Sequence, residues 1–496
     1  MTILAPIDRL RLALTDPAGA ERAVLVSLAI YAVLWTAYGT IAKSSQGLHT
    51  DMTELIAWSR DLAWGYKHPP LAAAIVRLWF SVFPVAEWSY YLLAMLMPAL
   101  ALWIVWRLSA DYLDVEKRVI GLALLTFIPF FNFHALKFNV NTVLIPLWAA
   151  TTFWFLRSYR TRSALYAALA GLGAAACMLG KYWSVFLLVG LVVAALVDRR
   201  RVSYFRSAAP WITIVAGLVV LAPHVIWLFQ NDFEPFGYAM VVHGEKPFAA
   251  VAISVLGYLA GSAGYVAIPV IVVFAAARPG RAAIVDMIRP ADSERRLAAA
   301  AFWAPLLLPA AGALAGGTEI TSLWSMSAWT LLPVLLLSPP AVVVKEVDTR
   351  RILAGAVALP LVMLVASPAI AIIAQRNGPA PGPAQANLLA AEVERLWRQT
   401  TLLPLRFVGG DAGLAFGVIA YAQDRPHALP EMPPPAPAVL ARSGQAIVCF
   451  AEDTGCRDKA GAQGAASRRV ENEIVRNFLR FPGKPQRYTI FIVPPR

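Results

Sequence analysis

Acidic and basic side chains are concentrated in one short segment of a chain that is otherwise poor in charge. Asp51, Glu54, Lys67 and His68 all lie within residues 48–71. A carboxylate can take the proton of an attacking hydroxyl group, and cations can stabilise the charge that grows on a departing phosphate. These residue types suit a reaction in which a hydroxyl group attacks and an anionic group leaves.

Two short helices are predicted to carry these side chains. If residues 51–64 are helical, Asp51, Glu54 and Asp61 fall on roughly one face. A proline pair, which a first helical turn tolerates, then opens a second helix over residues 71–83. A helix of about 14 residues rises only about 21 Å, which is too short for a hydrocarbon core of ~30 Å. We expect both helices to lie on a membrane surface; the alternative is an ordinary solvated connecting loop.

The composition excludes a soluble globular protein. Of the 496 residues, 59% are hydrophobic and 15% are charged, and the mean hydropathy is +0.61. Long apolar runs must be helical in a bilayer, because lipid offers the backbone no hydrogen-bond partner. We predict a polytopic α-helical membrane protein with about eleven transmembrane helices. The runs lie near residues 23–42, 88–107, 118–133, 140–157, 164–180, 183–198, 208–229, 250–277, 299–315, 323–343 and 352–374.

The distribution of Lys and Arg predicts the orientation of these helices. The segment before the first run and every second segment after it hold roughly three times as many Lys and Arg residues as the segments between them, which indicates a cytoplasmic N-terminus. The net charge of +13 is then largely a topological signal, and nucleic acid is not predicted as a partner. Residues 1–22 are assigned to a cytoplasmic tail, 23–374 to a transmembrane domain and 43–87 to its first periplasmic loop. The first run is too long for a removable signal peptide.

An odd number of crossings leaves residues 375–496 outside, as a small periplasmic α/β domain. Helices are predicted at 385–400 and 469–479, and strands at 405–408, 446–450 and 488–493. We favour a role as a structural cap over a catalytic one. Cys449 and Cys456 are close enough in sequence to form a disulfide in an exported tail, but spacing alone leaves their pairing open.

Further polar residues gather at the predicted outer ends of the spans, which indicates an outward-facing polar cavity. Lys181, next to Tyr182 between two apolar runs, either extends its ammonium group towards water or binds a phosphate. Gly171-Leu-Gly-Ala-Ala-Ala176 resembles a dinucleotide fingerprint, but no strand precedes it, so close helix packing explains it better. The candidate cavity residues are Tyr66, His134, Lys137, Asn139, His224, Asp232 and Glu234.

The opening segment resembles a known family. Asp51 and Glu54, then Gly65-Tyr-Lys-His-Pro-Pro-Leu71, are similar to the first outer loop of the GT-C glycosyltransferases. The most similar branch is the family 39-like group, which includes protein O-mannosyltransferases and lipid A aminoarabinose transferases. Lys181-Tyr182 is similar to a Lys-Tyr element of that group. In the family the acidic pair is adjacent, whereas two residues separate Asp51 from Glu54 here.

The resemblance implies a periplasmic glycosyltransferase of the bacterial inner membrane that uses a polyprenyl-phosphate-linked sugar and inverts the anomeric carbon. Asp51 would be the general base with Glu54 beside it, and Lys67, His68, Lys181 and Tyr182 would bind the donor phosphate. The acceptor would be a lipid, a glycan or a protein. No cofactor is required by the sequence, although a divalent cation could assist. The alternatives are a transporter or flippase of lipid-linked sugars and a non-enzymatic envelope assembly factor.

Overall fold

A computed structural model describes residues 5–62, 64–65, 67–244, 246–378, 385–462 and 467–496. Most of these residues are helical, and the strands lie near the C-terminus. In chain order the α-helices are α1 (Ala5–Thr15), α2 (Ala20–Ala42), α3 (Thr50–Asp61), α4 (Leu71–Val82), α5 (Glu87–Ser109), α6 (Val115–Thr126), α7 (Val140–Thr161), α8 (Ala164–Gly180), α9 (Val185–Val197), α10 (Arg201–Phe205), α11 (Ala209–Gln230), α12 (Glu234–His243), α13 (Phe248–Tyr265), α14 (Ala267–Ala277), α15 (Arg281–Ile288), α16 (Ser293–Gly316), α17 (Leu332–Leu337), α18 (Glu346–Asn377), α19 (Ala386–Arg398), α20 (Ala412–Tyr421), α21 (Pro437–Ser443) and α22 (Thr454–Gly461).

The strands are short and few. They are β1 (Phe407–Gly410), β2 (His427–Ala428), β3 (Gln445–Phe450), β4 (Arg468–Ile474), β5 (Asn477–Phe478), β6 (Phe481–Pro482) and β7 (Gln486–Val493). Short 3-10 helices occur at Pro129–Phe131, Tyr182–Ser184, Ser322–Ser325 and Ala328–Leu331.

A polytopic helical architecture agrees with the sequence-based prediction, but the count of eleven spans is not confirmed. Six helices of the described chain are long and apolar enough to cross a membrane: α2, α5, α11, α13, α16 and α18. The run at 250–277 is divided into α13 and α14, and the run at 323–343 consists of two 3-10 helices and the short α17. A proline at the start of α17 lacks a backbone N–H, and serines precede it, so hydropathy alone overestimated the continuous helix.

The described chain divides into two compact units. The membrane unit comprises Met1–Thr36, Lys67–Leu71 and Leu92–Val362, and the sheet unit comprises Ala37–Tyr66, Ala72–Tyr91 and Met363–Arg496. The segments of the first loop that carry α3 and most of α4 therefore belong to the same unit as the C-terminal strands.

Within the membrane unit, glycines allow α8 and α11 to approach each other closely. A Cβ atom on Gly171 would lie 2.2 Å from the carbonyl oxygen of Thr213, and one on Gly217 would lie 3.2 Å from that of Gly171. Gly171 therefore has no room for a side chain, and Gly217 has little. This contact supports helix packing, and not nucleotide binding, as the role of the Gly171 segment.

The sheet unit is built on a mixed sheet with strand order β2-β1-β3-β7-β4. β1 runs parallel to β2 and β3, whereas β7 is antiparallel to β3 and β4. Helices α19 and α20 bury Leu389, Trp397 and Phe416 in its core, and Ala57 of α3 belongs to the same cluster. Burial of Ala57 among these apolar side chains helps to hold α3 in the unit.

The C-terminal region contains a strand where a helix was predicted, and it contains a disulfide. The helix predicted at 469–479 is wrong: this segment contains β4, whose side chains alternate in exposure and which pairs with β7. Val470 and Ile474 fit a helical spacing of four, but Asn472 between them also faces inward, which gives the period of two. Cys449 and Cys456 form a disulfide between the end of β3 and α22.

Candidate active site

Asp51 lies in the first turn of α3, on a helix whose start is fixed by a side-chain cap. The Nδ1 atom of His49 accepts a hydrogen bond from the backbone N–H of Asp51 over 3.1 Å. The Asp51 side chain is 34% exposed, so a hydroxyl group could reach it. A helix N-terminus stabilises negative charge, which makes this a favourable position for a carboxylate.

The middle of α3 is buried, which does not fit an ordinary solvated loop. Every residue from Met52 to Ser59 is buried, including Glu54 at 8% exposure. The Tyr90 hydroxyl donates a hydrogen bond to the carbonyl oxygen of Met52 over 3.1 Å. The predicted helices thus exist as α3 and α4, and Asp51 is the more accessible of the two predicted catalytic carboxylates.

Lys67 and His68 lie in the turn before α4 and are both half-buried. The Nζ atom of Lys67 lies 6.0 Å from the centroid of the Tyr238 ring on α12, at the outer limit of a cation–π contact. Tyr66, a candidate cavity residue, lies outside the described residues.

Lys181 and Tyr182 occupy the junction between α8 and α9. The Nζ atom of Lys181 donates a hydrogen bond to Oδ1 of Asn141 over 2.9 Å, and it lies 4.8 Å from the centroid of the Trp324 ring. The Tyr182 hydroxyl and Nε2 of His224 are hydrogen-bonded over 2.8 Å. His224 is only 1% exposed, so it supports Tyr182 from the interior.

Helix α12 contacts both groups of predicted phosphate-binding residues. Tyr238 lies next to Lys67, and the ring of Phe236 lies 4.7 Å from that of Tyr182. His243, at the end of α12, makes an edge contact with Trp324, the ring that also lies beside Lys181. Burial and the cation of Lys181 lower the pKa of His243. One helix therefore links Lys67, Tyr182 and Lys181 within the membrane unit.

One family model and solved structures of a known protein are similar to this chain. A family model described as dolichyl-phosphate-mannose-protein mannosyltransferase matches residues 67–227. The solved structure of ArnT from Cupriavidus metallidurans bound to undecaprenyl phosphate is similar, with a TM-score of 0.59 and 11% identity over 94% of this chain and 97% of that one. ArnT from the same organism in the apo state has a TM-score of 0.62 and 11% identity, over 96% and 98% of the two chains. The chain has a GT-C fold. Comparison with curated proteins finds no significant match.

The GT-C fold confirms the resemblance inferred from residues 48–71, and it covers almost the whole chain. The family-model match begins at Lys67 and includes Lys181, Tyr182 and His224, but it does not include Asp51. The fold therefore explains the architecture, whereas the role of each site residue has to be argued from its own surroundings.

Some predicted cavity residues have structural roles in this GT-C chain. Asn139 caps α7: its side-chain oxygen accepts from the backbone N–H groups of Asn141 and Thr142. The His134 ring contacts Phe130 and Tyr265, and burial together with the cation of Lys137 lowers the His134 pKa.

Asp232 and Glu234 are exposed near the start of α12, where Asp232 has a positive φ of 50°. This exposed turn differs from the half-buried surroundings of Lys181. Trp324, Tyr238 and Asn141 were not among the predicted site residues. Only Asn141 carried a sequence signal, its position near His134 and Lys137, whereas the two aromatic residues are brought in by tertiary contacts.

A cavity of about 310 Å³ in the membrane unit is separate from these residues. Almost only apolar side chains of the five helices from α7 to α11 line it, and none of the predicted site residues does. Within the described ranges, no group of three or more His, Cys, Asp or Glu side chains is arranged to hold a metal ion.

Proposed function

We propose that this protein is an integral membrane glycosyltransferase that transfers a sugar from a polyprenyl-phosphate-linked donor to an acceptor hydroxyl group. The observation that carries the proposal is the GT-C fold, shared over nearly the full length of an ArnT structure bound to undecaprenyl phosphate. An Asp in the first turn of α3 and a lysine held beside two indole rings supply the residue types that the reaction needs.

In the proposed reaction, the carboxylate of Asp51 accepts the proton of the acceptor hydroxyl as its oxygen attacks the anomeric carbon. The bond between that carbon and the phosphate oxygen breaks, and the polyprenyl phosphate leaves with the electron pair. Lys67, His68 and Lys181 would stabilise the charge that develops on the phosphate, and the Tyr182 hydroxyl would hydrogen-bond to it. Attack opposite the leaving group inverts the anomeric configuration.

We assign the reaction to the periplasmic face of the bacterial inner membrane, with the N-terminus in the cytoplasm. The Lys and Arg bias supports this orientation. The disulfide between Cys449 and Cys456 also supports it, because disulfides persist in oxidising compartments such as the periplasm. Residues 1–22 would then be cytoplasmic, 43–87 would form the catalytic loop and 375–496 the periplasmic domain. A reporter that is active only after export should be active when it is fused within 43–87 or after residue 375. Activity of a reporter that works only in the cytosol, at both positions, would contradict this assignment.

The activity can be tested in proteoliposomes that contain the purified protein and a radiolabelled sugar on a polyprenyl-phosphate carrier. Envelope lipids, glycans and proteins are supplied as separate acceptor pools, and we expect label in one of them with a new glycosidic bond. Movement of the labelled donor across the bilayer without a new bond would support a flippase instead. The absence of both sugar transfer and donor movement would support an assembly factor. Mass spectrometry of the envelope of a deletion strain would identify the acceptor.

A further inference from the structure

Helix α3, which carries Asp51, is held at both ends by one C-terminal segment of the sheet unit. Tyr421, the last residue of α20, contacts the chain just before α3, and residues 426–427 contact the end of α3. Twelve residues of α-helix rise about 18 Å, a distance that the six residues from 421 to 427 can span when extended. The segment is therefore long enough to bridge the helix.

At the first end, the Tyr421 hydroxyl makes two hydrogen bonds. It accepts from the backbone N–H of Leu48 over 2.9 Å and donates to Oε1 of Glu87 over 2.8 Å. Burial, reinforced by the charge of Glu87, raises the pKa of Tyr421 well above its ordinary value, so the hydroxyl remains a donor. Leu48 directly precedes His49, the residue that caps α3 and bonds to the N–H of Asp51.

At the second end, two contacts fix the last turn of α3. Nη1 of Arg60 donates to the carbonyl oxygen of Pro426 over 2.7 Å, and Nδ1 of His427 lies 2.6 Å from Oδ1 of Asp61. Helix α20 also packs against α3: a Cβ atom on Gly413 would lie in ordinary van der Waals contact, at 3.5 Å, with the side chain of Thr50, the first residue of α3. The C-terminal segment therefore contacts α3 at both its start and its end.

We propose that Tyr421 is a positioning residue that holds the start of α3, and with it the Asp51 carboxylate, in the geometry needed for sugar transfer. This inference rests on the proposed function, and it gives the C-terminal domain a task within the reaction beyond that of a cap. The connection runs from Tyr421 to the Leu48 amide, then along one residue to His49 and from its ring to Asp51. A general base must lie within hydrogen-bond reach of its proton, so a small displacement lowers the rate.

The central test compares Tyr421→Phe with Tyr488→Phe in the full-length protein. Tyr488 is also buried in the sheet unit, and its hydroxyl bonds to Gln385 over 3.3 Å, away from α3. The first variant should lower kcat by about 10- to 100-fold while KM for the lipid-linked donor stays within about twofold. The second should leave both constants close to those of the wild type. Equal effects in the two variants would overturn the proposal.

A second readout does not depend on activity. Hydrogen exchange of the Leu48 amide should become about tenfold faster in Tyr421→Phe, because the amide loses its acceptor, and should be unchanged in Tyr488→Phe. Unchanged exchange in both variants would refute the contact. If the wild type transfers no sugar, the proposed function fails, and the exchange data still decide whether Tyr421 holds Leu48. If the wild type is active and Tyr421→Phe is equally active, only the positioning role fails.

A pair of variants at Glu87 tests the same network should Tyr421→Phe fail to fold. Glu87→Gln keeps a carbonyl oxygen that can accept from Tyr421, so kcat should stay within about threefold of the wild type. Glu87→Met has a similar shape but no acceptor, and kcat should fall by about tenfold. Equal kcat in these two variants would contradict a role for the Tyr421 hydroxyl.

Discussion

The ammonium group of Lys181 is fixed by Asn141: the Nζ atom donates to Oδ1 of the amide over 2.9 Å. The same atom lies 4.8 Å from the Trp324 ring centroid and 5.9 Å from that of Trp183. A lysine that merely reached for water would not need an amide acceptor and two indole rings. Its position is therefore set by the protein, as expected of a lysine that binds an anion.

Lys181→Ala should weaken the use of the lipid-linked donor. The loss of a charge-assisted hydrogen bond to phosphate is worth about 1.5 to 3 kcal/mol, so we expect the apparent KM for the donor to rise by about 10- to 100-fold. Steady-state kinetics in proteoliposomes measures this. Lys345→Ala, at an exposed lysine of a predicted inner segment, is the control and should leave KM unchanged. An unchanged KM in Lys181→Ala would assign the phosphate to other residues.

Asp51→Asn should abolish sugar transfer while expression and membrane insertion remain intact. The amide keeps the shape of the side chain but cannot accept the hydroxyl proton, and loss of a general base typically lowers kcat by about 10²- to 10⁴-fold. Asp114→Asn is a matched control, because Asp114 caps α6 and Asn is an equally good cap. Full activity of Asp51→Asn would remove this residue from the catalytic role.

Local signals explain which parts of the fold could be predicted from the sequence. The prediction of α3 and α4 rests on the spacing of three acidic residues and on a proline pair, and both signals act over a few residues. The strands β3 and β7 follow from continuous apolar runs. By contrast, Val470 and Ile474 fit both a helix and a strand, and only the pairing of β4 with β7 selects the strand.

Long-range contacts explain what could not be predicted. Tyr421 lies 373 residues after Leu48, and no local pattern indicates that their backbone and side chain meet. Trp324 comes to Lys181 in the same way, through packing within the membrane unit. The sequence therefore indicated which residues could carry the chemistry, whereas the residues that position them required the structure.

Acidification should destabilise the protein in part through His134. Burial and Lys137 lower the pKa of this histidine in the folded state, below the ordinary value of about 6.5 that it has in the unfolded chain. Between those two values the unfolded chain binds more protons, so stability is present above about pH 6.5 and is lost as the pH falls towards the folded pKa. The apparent Tm in detergent should therefore drop between pH 7.5 and 5.5. His134→Asn should show a smaller drop, and an equal drop in both proteins would contradict this account.

The disulfide between Cys449 and Cys456 makes a direct prediction about thiol labelling. Cys177 is the remaining cysteine of the three in the chain, and it is buried with a free thiol. Alkylation of the denatured, unreduced protein should therefore modify Cys177 alone, and prior reduction should expose all three thiols to mass spectrometry. The cross-link closes a short loop, so replacing both cysteines by Ser should destabilise the sheet unit by about 2 to 3 kcal/mol. Cys177→Ser provides a reference in which no labelling is expected before reduction. Labelling of three thiols in the unreduced wild-type protein, purified from cell membranes, would contradict the cross-link. It would also remove the support that the cross-link gives to an exported location.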